Sequence, residues 1–261
     1  MKDFNIELNC KVIPTARERI YQGNGQTAVL LIHGFTGTPN GMDYLARRIH
    51  QETNYTVYLP RLPGHGTITS DFRQSNARDW LRKTYDSYIN LKNEYKTVYV
   101  GGLSMGGLLA LLTASHFQVE KLFLIAAALS AHNKLLPFTH IFKHIVPVME
   151  NKLAEDPEQY DTEDELKIYH NYWKNHYAVQ VAELHKLMRL TKKKLKTIKS
   201  DTLILSSKTD EQVPMKAAYM IQKKLSSQYK KMIVFDNSPH VINNGPEKES
   251  CAKHIIEFLK D

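Results

Sequence analysis

Short apolar runs alternate with amphipathic stretches along most of this chain. Residues 27–32 (TAVLLI) form a continuous apolar run, the pattern of a strand buried on both faces. Residues 39–51 carry Leu45 and Ile49 four apart, which is helical spacing. Residues 55–59 predict a second strand. Residues 76–95 predict a long helix with Trp80, Leu81, Tyr85, Tyr88, Ile89 and Leu91 near one face. A third strand at 97–100, a Gly-, Ala- and Leu-rich helix at 105–116 and a fourth strand at 121–126 follow. From about 130 to 197 the alternation stops, and Pro, Lys, Glu, Tyr and His appear with helical spacing and no clear strand. The rhythm resumes with a strand at 202–206, a helix at 214–225, a strand at 232–235 and a helix at 246–259. Weak alternation over residues 5–12 suggests an antiparallel edge strand.

Alternating strands and helices argue for an α/β fold, with a mostly parallel central sheet covered by helices on both faces. The interruption reads as a helical cap inserted at about 130–197 into one domain spanning 1–261. At 261 residues, 42% of them apolar, the chain is long enough for one full-sized core. No apolar stretch approaches the roughly 18 residues of a membrane span, and the first residues lack the pattern of a signal peptide. Two isolated cysteines, Cys10 and Cys251, fit a reducing cytoplasm better than a disulfide framework.

The net charge of +8 adds one question, whether the protein meets an anionic partner. Much of the excess sits between Lys186 and Lys199, where there is no acid. Leu187, Leu190, Leu195 and Ile198 lie among these charges, as in an amphipathic helix. The Lys192-Lys193-Lys194 run is expected to be a solvated helix face, with at most weak peripheral contact with an anionic membrane. No nucleic-acid-binding signature accompanies it, so no nucleic-acid partner is expected.

The chemistry concentrates at Gly102-Leu103-Ser104-Met105-Gly106, a G-x-S-x-G sequence between a predicted strand and a predicted helix. A strand turning sharply into a helix holds the middle residue in a strained conformation and pushes its hydroxyl out above the sheet. Flanking glycines remove the Cβ atoms that would collide there. Ser104 is therefore the candidate nucleophile. A serine hydroxyl needs a base, and His240 lies in the loop between the last strand and the last helix. The acid that would orient it is Asp210, in the loop after the strand at 202–206; Glu211 and Asp236 are the competitors. An oxyanion hole needs two backbone N–H donors. Met105, after the serine, and Phe35, in the glycine-rich loop 33–39, are the candidates, and the same two residues would touch a bound substrate. No metal or organic cofactor is called for.

Together, His-Gly-Phe-Thr-Gly-Thr-Pro at 33–39, Pro-Arg-Leu-Pro-Gly-His-Gly at 60–66, Gly-Leu-Ser-Met-Gly-Gly at 102–107 and Ser-Pro-His at 238–240 resemble thermostable bacterial carboxylesterases and bacterial monoacylglycerol lipases. The resemblance spans roughly 25–126 and 200–260, with a cap in a similar position. It implies an α/β-hydrolase fold, a Ser104-Asp210-His240 triad with Phe35 and Met105 as oxyanion donors, and hydrolysis of short- to medium-chain acyl esters or monoacylglycerols. Use of the same triad on amides or thioesters, or a silent hydrolase fold that only binds a small ligand, stays open at this point.

Other conspicuous residues have plainer expectations. His33 is expected to bond nearby backbone, and His65 to brace its loop, since no partners at metal-ligand spacing accompany it. Asp79-Trp80 reads as helix packing. Phe138, Ile141, Phe142, Ile145 and Val148 read equally as an acyl-chain wall or as the cap's own core.

Overall fold

A computed structural model describes residues 6–7, 10–132, 148–150 and 162–261. Among these residues the central sheet has the strands β1 (Arg19–Tyr21), β2 (Thr27–Ile32), β3 (Thr56–Leu59), β4 (Thr97–Leu103), β5 (Lys121–Ile125), β8 (Asp201–Ser207) and β9 (Lys230–Phe235). Their order is β1-β3-β2-β4-β5-β8-β9, and every pairing is parallel except β1 with β3. A second, two-stranded ribbon pairs β6 (Val148–Glu150) with β7 (Asn175–Tyr177).

The apolar run of β2 is continuous because both of its faces are covered. Ala28, Leu30 and Ile32 enter one core, while Val29 and Leu31 enter the other. β5 divides the same way, with Leu122 and Leu124 on one side and Phe123 and Ile125 on the other. The first core is covered by α3 (Ala77–Glu94), α4 (Met105–His116), α6 (Ala178–Lys194) and α7 (Met215–Lys224). The second is covered by α1 (Asp43–Thr53) and α8 (Lys248–Lys260), which present Leu45, Ile49, Cys251, Ile255 and Phe258 to it. Each such aliphatic or aromatic side chain, once fully buried, contributes about 1.5–3 kcal/mol. The helix α4 has no polar face: Met105 through Ala114 are all buried between β4 and α3 or α6.

Two expectations need correction. The sheet has an antiparallel edge strand, β1, and the described residues of 5–12 are not part of it. Residues 6–7 and 10–12 form no strand, and 5, 8 and 9 lie outside the described residues. Ile13 donates its N–H to Gly66 O at 2.9 Å and is buried, so this segment is tied to a loop before it reaches the sheet. Pro14, which has no N–H to give a ladder, opens a short 3₁₀ turn there. In the segment 130–197 no strand was expected, yet β6 and β7 pair there. Three residues apiece are too few to show an alternating pattern.

Within that segment lie α5 (Glu163–Ile168), a wide π-type turn Tyr169–Trp173, β7 and α6. A short helix α2 (Thr69–Gln74), also unexpected, lies beneath it. Phe138, Ile141, Phe142 and Ile145 lie outside the described residues, and Val148 is exposed. Leu187, Leu195 and Ile198 are buried whereas Leu190, Lys193 and Lys194 face solvent, so the basic run is the outer face of an amphipathic helix. Among the described residues no helix is long and apolar enough to cross a membrane.

Candidate active site

The site is built at the carboxyl ends of the parallel strands, where ligands of open α/β sheets bind. β4 ends at Leu103 and α4 begins at Met105, so Ser104 alone makes the turn. Its φ of 54° and ψ of −114° lie where only glycine is comfortable, a strain of about 1–3 kcal/mol. Four backbone bonds hold it there. Ser104 N–H donates to Ile125 O at 2.9 Å, and Ser104 O accepts from the amides of Gly107, Ala128 and Leu108 at 3.0, 3.2 and 3.3 Å. The turn also forces close backbone approach. A Cβ on Gly102 would lie 2.4 Å from Gly106 O, and one on Gly106 would lie 2.2 Å from Ile32 O. Ser104 is the N-cap residue of α4, but its hydroxyl does not cap the helix. The first-turn amides of α4 and its dipole face the same place, which favours negative charge there.

Asp210, in the loop after β8, hydrogen-bonds His240, in the loop after β9. The separation from His240 Nδ1 to Asp210 Oδ2 is 2.8 Å. The other carboxylate oxygen accepts the amides of Gln212 at 2.8 Å and Val213 at 2.9 Å. Burial pushes the Asp210 carboxyl up, but the bonds from His240 and from the Val213 and Gln212 amides outweigh it and hold the group below the ordinary carboxylate value. A carboxylate only accepts, so His240 Nδ1 must carry the proton. Nε2 is then left with its lone pair, as a base requires.

The two competing acids are elsewhere. Asp236 pairs with Lys208 at 2.6 Å on the surface, where both side chains are 65% exposed. Glu211 is exposed.

Sequence reasoning did not single out the side chains that lock the acid loop to the histidine loop. Ser207 Oγ and Thr209 Oγ1 both donate to Ser238 O, at 2.5 and 2.7 Å. Glu247 Oε2 accepts from Ser238 Oγ at 2.7 Å and from Asn237 N–H at 3.0 Å. The hydroxyls crowding Ser207-Lys208-Thr209 are the one sequence signal that marks this brace.

The loop 33–39 leaves β2 beside the serine, and a Cβ on Gly34 would stand 3.4 Å from Ser104 Cβ. The chain turns at Gly34–Gly37, closed by Gly37 N–H to Gly34 O at 3.1 Å. Among the described residues, no hydrogen bond occupies the N–H of Phe35 or of Met105. The Phe35 ring anchors its end of the loop, with centroids 5.5 Å from Phe72, 5.9 Å from Trp80 and 6.4 Å from His65.

His33 and His65 brace this loop. His33 Nε2 accepts Leu62 N–H at 3.1 Å, which puts its proton on Nδ1, 2.9 Å from Gly34 O. Burial lowers its pKa to about 4, so the ring is neutral near pH 7. His65 Nδ1 lies 3.0 Å from Pro63 O, and burial, with His33 close by, pushes its pKa well below the usual histidine value. Trp80 is buried and donates from Nε1 to Pro63 O and Ser75 Oγ, both at 3.2 Å, while Asp79 completes a capping box with Asn76 at the start of α3. Asp79 and Trp80 are thus packing residues.

Known proteins carry the same arrangement of chain. A thermostable monoacylglycerol lipase of Bacillus sp. (strain H-257) is 32% identical over 252 residues, which cover 93% of this chain and 94% of that protein. A carboxylesterase of Bacillus subtilis (strain 168) is 24% identical over 90% of this chain and 93% of its own. Among solved structures, one of the metagenome-derived lipolytic enzymes LipS and LipT superposes with a TM-score of 0.85 at 25% identity, covering 96% of this chain and 99% of that one. The monoacylglycerol lipase of Paleococcus ferrophilus shares the fold with a TM-score of 0.74 at 20% identity, covering 93% and 97%. The model of the Alpha/beta hydrolase family matches residues 29–249, and the chain belongs to that family.

Proposed function

We propose that the protein is a serine hydrolase of carboxylic esters, acting on short- to medium-chain acyl esters or monoacylglycerols. Ser104 is the nucleophile, His240 the base and Asp210 the acid that orients it. The observation that carries the reading is the 2.8 Å bond from His240 Nδ1 to the buried Asp210, in loops at the same sheet edge as the strained Ser104.

That geometry supports the following steps. His240 Nε2 takes the serine proton as Ser104 Oγ attacks the ester carbonyl, and Asp210 stabilises the imidazolium that forms. The carbonyl oxygen becomes an oxyanion bound by the N–H groups of Phe35 and Met105. Collapse of this intermediate breaks the C–O bond to the alcohol, which leaves with the proton from His240. Water, deprotonated by His240, then attacks the acyl carbon, and the C–O bond to Ser104 Oγ breaks as His240 returns the proton to that oxygen, which releases the acid. The preference for esters and acylglycerols rests on the Bacillus relatives, whose names are a monoacylglycerol lipase and a carboxylesterase.

The segment 130–197 acts as a cap over this site. Its described part reaches the floor through Asn171 to Thr69, Tyr172 to Thr67 and Trp173 to Thr36. The protein works in the cytoplasm, where its two unpaired cysteines stay reduced.

Ser104→Ala should lower turnover of p-nitrophenyl butyrate on the order of 10⁶-fold, the loss seen where a triad acts as a unit. Wild-type-like hydrolysis by this variant would sink the assignment. A series of p-nitrophenyl esters and monoacylglycerols from C2 to C16 tests the chain length: peak activity beyond C12 or on no ester at all would overturn the substrate class.

A further inference from the structure

The loop that carries the Phe35 amide contains an unusual backbone. Thr36 has a φ of +58°, a conformation that β-branched residues avoid. It occupies the third position of the turn Gly34–Gly37, where a type II turn requires positive φ and normally takes glycine. Such strain persists only where surrounding contacts over-determine it. Beside the turn's own bond and the His33 Nδ1 bond to Gly34 O at 2.9 Å, two contacts fall on Thr36 itself. Thr36 Oγ1 donates to Phe35 O at 2.6 Å, and the indole Nε1 of Trp173 donates to Thr36 O at 3.2 Å. The second bond spans 137 positions of sequence and comes from the segment 130–197.

Trp173 is the last residue of the wide turn Tyr169–Trp173, in which Lys174 N–H bonds Tyr169 O at 2.9 Å, five residues back. Turns of this kind wind through fewer degrees per residue than an α-helix and are common at functional sites. Three consecutive side chains can therefore face one floor. Asn171 Oδ1 accepts Thr69 N–H at 2.9 Å. Tyr172 hydroxyl accepts Thr67 N–H at 2.6 Å and donates to Gly64 O at 3.2 Å. The first two fix the turn on the loop beneath it, which leaves the third held rigidly over Thr36.

We propose that Trp173 is a positioning residue for the oxyanion loop: its indole N–H, donated to Thr36 O, holds the strained turn that aims the Phe35 amide at Ser104. The inference rests on the hydrolase reading above and deepens it. The bond links the cap to the electrostatics of the reaction rather than to substrate binding. The amide of Phe35 is two peptide units from the carbonyl that Trp173 grips, within the same four-residue turn, so a loosened turn misaims a donor whose value lies in being fixed beforehand.

The test compares Trp173→Phe with Trp173→3-benzothienylalanine, which keeps the indole's shape but lacks its N–H, so that a failure of the Phe variant to fold is separated from loss of the bond. On p-nitrophenyl butyrate both should lose roughly 5–10-fold in kcat, the weight of one neutral hydrogen bond, with KM within about twofold of wild type. An acyl trifluoromethyl ketone, which forms an oxyanion on the serine, should bind more weakly by the same factor, while the thermal midpoint of the benzothienyl variant stays put. An unchanged kcat in the benzothienyl variant, or a rise in KM alone, would overturn the proposal. Failure of a fluorophosphonate to label Ser104 in the unaltered enzyme would instead remove the hydrolase reading on which the proposal stands.

Discussion

Asp210 divides its two carboxylate oxygens between two partners of different kinds: Oδ2 meets His240 Nδ1 at 2.8 Å, and Oδ1 is held by the backbone amides of Gln212 and Val213. The amides fix which oxygen faces the histidine, and the histidine then has one tautomer available. The loops bearing the two residues are locked by Ser207 and Thr209 on Ser238 O. Asp236, nearer in sequence to His240, is spent on Lys208 at the surface.

That division predicts the effect of a nearly isosteric change. In Asp210→Asn the amide carbonyl will keep the Gln212 and Val213 N–H groups, and the amide nitrogen will face His240 as a donor. The imidazole must then carry its proton on Nε2, the wrong nitrogen for a base. Turnover should fall by about 10⁴, the loss known for the same change in a serine protease. Asp236→Asn should leave turnover unchanged. Steady-state kinetics of the two variants decides; loss in the second but not the first would reassign the acid.

His33 should make stability pH-dependent. Its folded pKa of about 4 lies below the usual value of about 6.5 for an unfolded histidine. The unfolded chain therefore takes up this proton first, so the contribution is full above pH 6.5 and is lost as pH falls toward 4. The whole loss is about 3 kcal/mol at about 1.4 per pH unit. In urea unfolding between pH 7 and pH 4.5, His33→Asn should be less stable at neutrality yet show a flatter slope. Parallel slopes for the two proteins would rule out His33 as the source.

The motif glycines should be intolerant for steric reasons, apart from any chemistry. In Gly106→Ala the new Cβ would lie 2.2 Å from Ile32 O and 2.6 Å from His33 O, both backbone atoms that cannot swing away. A loss of about 3 kcal/mol or more is expected, above the common range for overpacking. Thermal denaturation measures it, and a midpoint within a degree of wild type would show that α4 can shift away from β2.

The basic face of α6 should be dispensable. Burial lowers the Lys192 pKa, and the neighbouring Lys224 and Lys216 lower it further, so this charge is unwelcome in the folded state. Lys192→Met should raise the thermal midpoint and leave hydrolysis of a soluble ester unchanged. A lower midpoint would mean that the ammonium has a partner that outweighs this repulsion.

The sequence by itself determined most of the α/β alternation and the candidate site residues. Residues 27–32 could be read as a buried strand, and 121–126 as another strand, because both faces of each meet a core. Ser104 could be read because Gly102 and Gly106 have no room for a Cβ, a demand that is local and therefore written locally. His240 and Asp210 could be read because each follows a parallel strand at its carboxyl end. Tertiary structure decided the rest. It brought Asp210, already preferred in sequence, against the His240 imidazole and left Asp236 on the surface, since that contact forms across 30 positions of sequence. It placed the edge strand at Arg19–Tyr21, since Ile13 is held by Gly66 instead of by a strand. It joined Trp173 to Thr36, since a hydrogen bond between residues 137 apart leaves no periodicity to see. Patterns record what a residue needs from its immediate neighbours, and partners brought together by packing leave no such record.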